Sequence, residues 1–314
     1  LGPVSFSDVE QRRRPGTGRV MTGWRDTFHI KNNRAPVTWD GCYSEGIFDD
    51  SFNISAIFQL VTEKLDDKRW RLRDLSATDS APPMKAGDRL EAIALSPERK
   101  LLGKTRIQTV EQSGKDTVLT ISPPLPLKAF ADDCKGETDL CASRVMDLDA
   151  ANEGSTIKRC TVHGSIRLRS KVTVEDLKLE GGLQITADPI RVGPLPEGIV
   201  IKNSDLSGNI RVGPDNTERW RYVARWDSGE RWARDIMFRN NRIMSIFRAE
   251  GATLSLNGDD IVWPLRRRFL LDNSGPVRVR NLTANGEPVR APMNRFKISP
   301  EMTPKDVVID NNNK

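Results

Sequence analysis

Two histidines in 314 residues cannot build a histidine-rich metal site, which all but excludes zinc-hydrolase chemistry. Four cysteines are too few to staple a chain of this size as a disulfide scaffold. Cys134 and Cys141 flank "KGETDL" and are placed for a local loop bridge if the protein is exported. Cys42 and Cys160 sit in apolar strand contexts and read as buried thiols. No apolar run approaches the roughly 20 residues needed to cross a bilayer as a helix, so no membrane partner is expected. There is no recognition-helix pattern, zinc-finger spacing or aromatic RNA-binding signature, so nucleic acid is not expected either. The opening stretch "LGPVSFSDVEQRRRPGTGRV" has no initiator methionine and no signal-peptide pattern, and reads as the interior of a longer chain. Acidic excess is lacking too: the net charge is +6, mostly from scattered arginine ("RWRLR", "RWARD", "PLRRRF"). That leaves two readings, a solvated surface or an acidic or sulfated ligand.

Helix signals are scarce. In their place are short alternating runs that end in small or polar residues: "VTWDGC", "STIKRC", "VTVEDL", "IVIKNS", "IMFRNN", "VRVRNL" and "VVIDNN", beginning at Val37, Ser155, Val172, Ile199, Ile236, Val277 and Val307. All follow one template: apolar, any, apolar, any, then a pair usually containing Asn, Asp, Gly or Cys. Their irregular spacing fits a superhelical stack with loops of varying length. In such a stack equivalent residues form ladders about 4.8 Å apart. A sandwich of short antiparallel strands would want regular spacing of about 8–12 residues and more hairpins. The fold class expected is all-β, a right-handed parallel β-helix.

Between Ile54 and about Leu148 the template disappears. "DKRWRLRDL", "AGDRLEAIAL" and "GKTRIQTVEQSGKDTVLTIS", with "SGKD" as a hairpin turn, suggest a small inserted antiparallel β-barrel. The division expected is residues 1–53 for the first coils, 54–148 for the barrel and 149–314 for the remaining coils. If the barrel is an excursion, the coils holding Cys42 and Cys160 become neighbours.

Three acids draw attention. Asp26 precedes the adjacent pair Asp49 and Asp50 by close to one coil, so Asp26 and one of the pair can stand on adjacent rungs. Inverting glycosidases hold two carboxyl groups about 6.5–9.5 Å apart, leaving room for a water. Mutual repulsion keeps one acid of such a cluster protonated. Consecutive strand residues face opposite sides, so both twins reach one cleft only across a bend or bulge, for which Gly46 is the candidate. A solvated turn and a calcium site remain the other readings of the pair.

The stretch "GWRDTFHIKNNRAPVTWDGCYSEGIFDDSFNIS" resembles the glycoside hydrolase family 110 α-galactosidases, whose pattern runs from an Asp-Gly-x-His segment to Asp-Asp-x-x-Asn. The barrel-like insertion follows where that family also carries one. "RWDSGERWARDIMFRNNRI" is similar to the family's Trp-x-Glu-Ser-Gly segment and its next rung. The likeness runs from about Gly23 to Ile243. It implies an exo-acting, inverting hydrolase of terminal α-linked galactose, secreted or periplasmic and without a cofactor. The implied partner is an oligo- or polysaccharide substrate; a homo-oligomer is left open. Asp26, Asp49 and Asp50 match the acidic positions. Asn53 matches the amide after the pair, His29 the histidine of the first motif, and Trp226 with Asp227 the aromatic–acid segment. Trp24, Arg34, Arg167 and Arg169 complete the candidate sugar-binding shell. The sequence departs from the family where "NISA" replaces Asn-Val-His-Gly, Thr27 replaces a glycine and Asp227 a glutamate. Those changes leave the acids and alter the recognition shell, which admits a sulfated or uronic sugar.

Individually, His29 also reads as a turn filler, Trp24 and Trp226 as core caps, and Arg34 as a turn brace. "FRNNRI" and "VIDNNN" read as stacked turn amides. The competing functions are a non-catalytic carbohydrate-binding β-helix and a polygalacturonase-like hydrolase. The latter lacks its Asn-Thr-Asp, Gly-His-Gly and Arg-x-Lys segments here.

Overall fold

Eight of the parallel strands are followed by a residue with positive φ, and that corner repeats up the molecule. Asp8, Gly41, Arg159, Asp176, Asn203, Asn240, Gly258 and Asn281 directly follow strands Val4–Ser7, Val37–Asp40, Ser155–Lys158, Val172–Glu175, Val200–Lys202, Ala233–Arg239, Ala252–Asn257 and Val277–Arg280. Asn, Asp and Gly tolerate this left-handed region, which is why they recur there. Arg159 is the exception, and its guanidinium donates to Asp40 Oδ2 on the neighbouring coil. After all but the first of these corners the next residue turns inward: Cys42, Cys160, Leu177, Ser204, Asn241, Asp259 and Leu282 are buried, whereas Val9 is exposed. The template is thus the signature of one corner.

In the computed structural model, which describes residues 2–75, 81–95, 100–134, 139–188, 190–214, 231–262, 269–272, 274–289, 296–298 and 307–310, these strands and Val307–Asp310 form one parallel sheet. A second sheet carries the return strands, among them Tyr43–Ile57, Thr161–Leu168, Leu183–Ala187, Ile210–Pro214 and Phe247–Glu250. The chain is an all-β parallel β-helix, wound in the right-handed sense that parallel crossovers take. Inward residues of both walls meet in a continuous core that includes Trp39, Phe52, Ile54, Ile157, Ile166, Leu183, Ile201, Phe238 and Phe247. At its first rungs Phe6 stacks on Trp39, and Phe28 stacks on Phe52. Trp226, Asp227, most of "PLRRRF" and the asparagines of "VIDNNN" lie outside the described residues.

Six antiparallel strands interrupt the coils and close into a barrel: Gln59–Lys64, Arg69–Asp74, Arg89–Ala94, Lys100–Ser113, Asp116–Ser122 and Arg144–Asp147. The "SGKD" hairpin pairs Ser113 with Asp116. Val61, Trp70, Leu72, Leu90, Ile107, Leu119 and Val145 fill the barrel. The exit and return of the insertion are clasped by one buried amide. Asn152 accepts from Asn33 N at 3.1 Å and donates to the Ser55 carbonyl at 2.7 Å, bridging 119 residues of sequence. Strand Val37–Asp40 therefore pairs directly with Ser155–Lys158, and Thr161 N donates to the Cys42 carbonyl. Cys42 and Cys160 stand on neighbouring coils as free buried thiols, and burial pushes the Cys160 thiol up to about 12. Cys134 and Cys141 are joined in a disulfide.

Candidate active site

The acids meet because two coils are in register with an offset of 24 residues: Phe28 lies opposite Phe52, His29 opposite Asn53 and Ile30 opposite Ile54. The same offset sets Asp26 beside Asp50. Thr27 N donates to the Asp50 carbonyl at 3.1 Å, and Asp50 N donates to Asp26 Oδ1 at 3.2 Å. The twins escape strict alternation through two irregularities in strand Tyr43–Ile57. On the facing strand, His163 opposes Glu45 but Ser165 opposes Asp50, so the chain bulges across 46–49, beginning at Gly46 with φ 67°. Ser51 is a further extra residue, since Ile166 opposes Phe52. A buried hydroxyl chain backs this kink: Thr27 Oγ1 lies 2.8 Å from Ser44 Oγ, which donates to Ser51 Oγ.

Asp49 is exposed, whereas Asp50 is only 2% exposed and the Asp26 side chain 5%. Carboxylate oxygens of all three nevertheless lie within 4.8 Å of one another. Both oxygens of Asp26 are engaged: Oδ1 by Asp50 N, and Oδ2 by Asn53 Nδ2 at 2.9 Å, with His29 Nδ1 3.1 Å away. Arg169 Nη1 in turn donates to Asn53 Oδ1 at 3.1 Å, fixing the amide's orientation. Asp50 is different. Its Oδ2 has no hydrogen-bond partner among the described residues and lies 3.3 Å from Arg167 Nε. Burial pushes Asp50 up to about 6; Arg167 opposes the shift, and Asp49 and Asp26 add to it. Burial also lowers the His29 imidazole below its ordinary value, against the pull of Asp26.

The structure therefore brings together Asp26, Asp49, Asp50, His29, Asn53, Arg167 and Arg169. Arg34 is engaged elsewhere. It donates to both oxygens of Asp88 and to Asp147 Oδ2 at the seam between coils and barrel. Trp24 is 72% exposed at the rim, where its ring meets Phe48, 68% exposed, edge-on at 5.1 Å. Phe48 was not among the sequence candidates. A signal for it exists: "WRD" and "FDD" both place an aromatic two residues before an acid, and Phe48 N donates to the Gly23 carbonyl to hold the two segments together.

Three converging carboxylates raise the question of a cation. Calcium takes 6–8 oxygen ligands. Here both Asp26 oxygens are committed and Asp50 faces a guanidinium, so Asp49 alone offers uncontested oxygens, and the set suits a cation poorly. What the arrangement offers is a proton reservoir: a buried carboxyl beside two other acids, pushed up to about 6 chiefly by its burial.

Neither a protein-family model nor a curated protein matches the chain. Among solved structures, one titled "Glycoside hydrolase" matches at a TM-score of 0.26 and 8% identity, covering 99% of this chain and 89% of the other. A likeness that slight carries no argument about this chain.

Proposed function

We propose that this protein is an exo-acting glycoside hydrolase that removes terminal α-linked galactose with the acids Asp26, Asp49 and Asp50. The observation that carries the reading is the convergence of the three carboxylates within 4.8 Å across a rung and a bulge, with Asp50 held up to about 6. The motif likeness to family 110 supplies the sugar. In this reading Asp50 stores the proton destined for the leaving oxygen, and exposed Asp49 is the carboxylate a sugar touches first. Asp26, with both oxygens occupied, orients the pair. His29, Asn53, Arg167 and Arg169 line the floor. Trp24 and Phe48 offer the apolar face on which a sugar ring stacks. Trp226 and Asp227 are kept as binding residues on the motif likeness alone. Secretion or export to a periplasm accords with the Cys134–Cys141 disulfide.

The likeness to family 110 implies inversion, yet the nearest carboxylate oxygens are closer than the roughly 6.5–9.5 Å of inverting pairs and nearer the roughly 5–5.5 Å of retaining ones. The anomer of the first-formed galactose, read by proton NMR during hydrolysis of an aryl α-galactoside, decides between them. A second reading, binding without turnover, is favoured by the occlusion of Asp50 and Asp26. Purified protein that binds galactosides but releases no galactose from any aryl α-galactoside or galactan would establish it and overturn the first.

A further inference from the structure

Beyond the acids, one row of outward positions continues up the same sheet. Printed residue by residue, the register runs His29, Asn53, Arg167, Gln184, Arg211, Arg248. The flanking residues Ile166, Leu168, Leu183, Ile185, Ile210, Val212, Phe247 and Ala249 are buried, so alternation turns each row member outward. Arg167, already beside Asp50, is thus the first of three arginines spaced over four coils.

Three arginines on one face carry an electrostatic cost. Like charges facing each other across a strand pair are destabilising, yet Arg211 stands directly opposite Arg248. Arg211 Nη2 donates to the Pro214 carbonyl at 3.1 Å, and Arg248 reaches Glu250 at 3.3 Å with its side chain still 44% exposed. An exposed pair of that kind contributes little to stability. Beside the row, three residues earlier in each coil, run Gly164, Gly181 and Gly208. A Cβ on Gly181 or Gly208 would collide with the carbonyl of the glycine before it. Those glycines answer to the close packing of successive coils, and they leave the strip beside the arginines without side chains.

We propose that Arg167, Arg211 and Arg248 form an anion track that binds a polyanionic glycan lying along the helix axis, its chain leading away from the sugar at the three acids. Rungs repeat at about 4.8 Å, so Arg167 and Arg211 stand about 9.6 Å apart. That spacing reads charges carried on alternate sugars, and the chemistry recognised is a sulfate or carboxylate on the ring. The track extends the glycosidase reading of the acid site, but its own test is binding and does not depend on turnover.

The test titrates the full-length protein with three polymers of matched length: a sulfated galactan, polygalacturonate and a neutral galactan. The variants are the native chain, Arg211→Gln/Arg248→Gln, and the control Arg239→Gln/Arg278→Gln, which removes two exposed arginines from the other wall. The native chain should prefer an anionic polymer to the neutral one, with affinity that falls steeply with salt. Which polymer wins identifies sulfate or carboxylate. The track variant should bind about tenfold more weakly, and the control should bind as the native chain does. Thermal unfolding confirms that each variant folds, with Arg248→Gln alone as the fallback. Equal affinity for the neutral galactan, native-like binding by the track variant, or an equal loss in the control would each overturn the proposal. So would equally tight binding of single-stranded DNA. Track-dependent binding by a protein that hydrolyses no aryl α-galactoside would sink the glycosidase reading and leave the track standing.

Discussion

Among the described residues, two clusters of three aspartates, each with oxygens within 4.8 Å of one another, behave differently: Asp26, Asp49 and Asp50 on the coil face, and Asp88, Asp147 and Asp149 at the barrel seam. The seam cluster is closed by guanidinium groups at short range. Arg34 donates to Asp88 at 2.7 and 2.9 Å and to Asp147 at 2.7 Å, while Arg89 donates to Asp149 at 2.6 and 2.8 Å. The coil-face cluster has Arg167 3.3 Å from Asp50 without a hydrogen bond, an acceptor left unpaired among the described residues, and an exposed third acid. A raised carboxyl does not separate them. Burial and neighbouring Asp88 push Asp147 up to about 7, Asp50 stands at about 6, and Asp259, a buried acceptor in the Asn241 turn, stands at about 7. Perturbed acidity marks burial in general. What marks the candidate site is acidity left without a saturating partner and next to solvent.

The comparison predicts opposite outcomes for two similar substitutions. Asp49→Asn should cut aryl α-galactoside turnover about 10²–10⁴-fold with little change in melting temperature. Asp149→Asn should leave turnover near native and lower the melting temperature, because Arg89 loses its main partner. Equal activity loss in both would dissolve the distinction between site and seam. Next in size, Arg34→Ala strands Asp147 and Asp88 in a partly buried setting. A loss of about 3–5 kcal/mol in denaturant unfolding is expected, and a loss under about 1 kcal/mol would show that the seam is not held by its charges.

Where sequence and structure part company, the reason is physical. The corner motif was legible in "VTVEDL" or "IVIKNS" because a left-handed residue and then an inward residue close those strands. The same signal lies in "LSLNGD", which ends strand Ala252–Asn257, and its left-handed half in "VSFSDV", which ends strand Val4–Ser7 with Val9 exposed; neither was among the runs named from the sequence. Asp26 and the twins were legible from their one-coil interval. Arg34 was not, since Asp88 and Asp147 come from the barrel and no local pattern announces a partner 54 or 113 residues away. The bulge at Ser51 leaves no mark beyond Gly46, although it sends Asp49 outward and Asp50 to the floor.

Smaller effects sharpen the contrast further. Trp24→Ala and Phe48→Ala should raise KM about tenfold while stability stays within about 0.5 kcal/mol, since both rings are largely exposed. Unchanged KM in both would remove the aromatic rim from the site. A separate effect is in pH. Folding raises Asp50 from an ordinary value of 3.8 to about 6, so the folded chain binds the proton more tightly than the unfolded one. Stability is therefore greatest below about 3.8 for this group and is lost as pH rises from about 3.8 to about 6. Asp50→Asn should flatten that part of the melting-temperature profile and raise stability at pH 7. A native-like slope in the variant would assign the titration to another acid.

The most direct test of the coil-face cluster is the rate of galactose release from an aryl α-galactoside by the native protein and by Asp50→Asn, measured across pH 4 to 8. The expected result is a native rate that declines above about pH 6, where Asp50 gives up its proton, and a folded variant with almost no rate at any pH. Undiminished release by Asp50→Asn, with an unchanged pH profile, would contradict the assignment of the chemistry to these three acids.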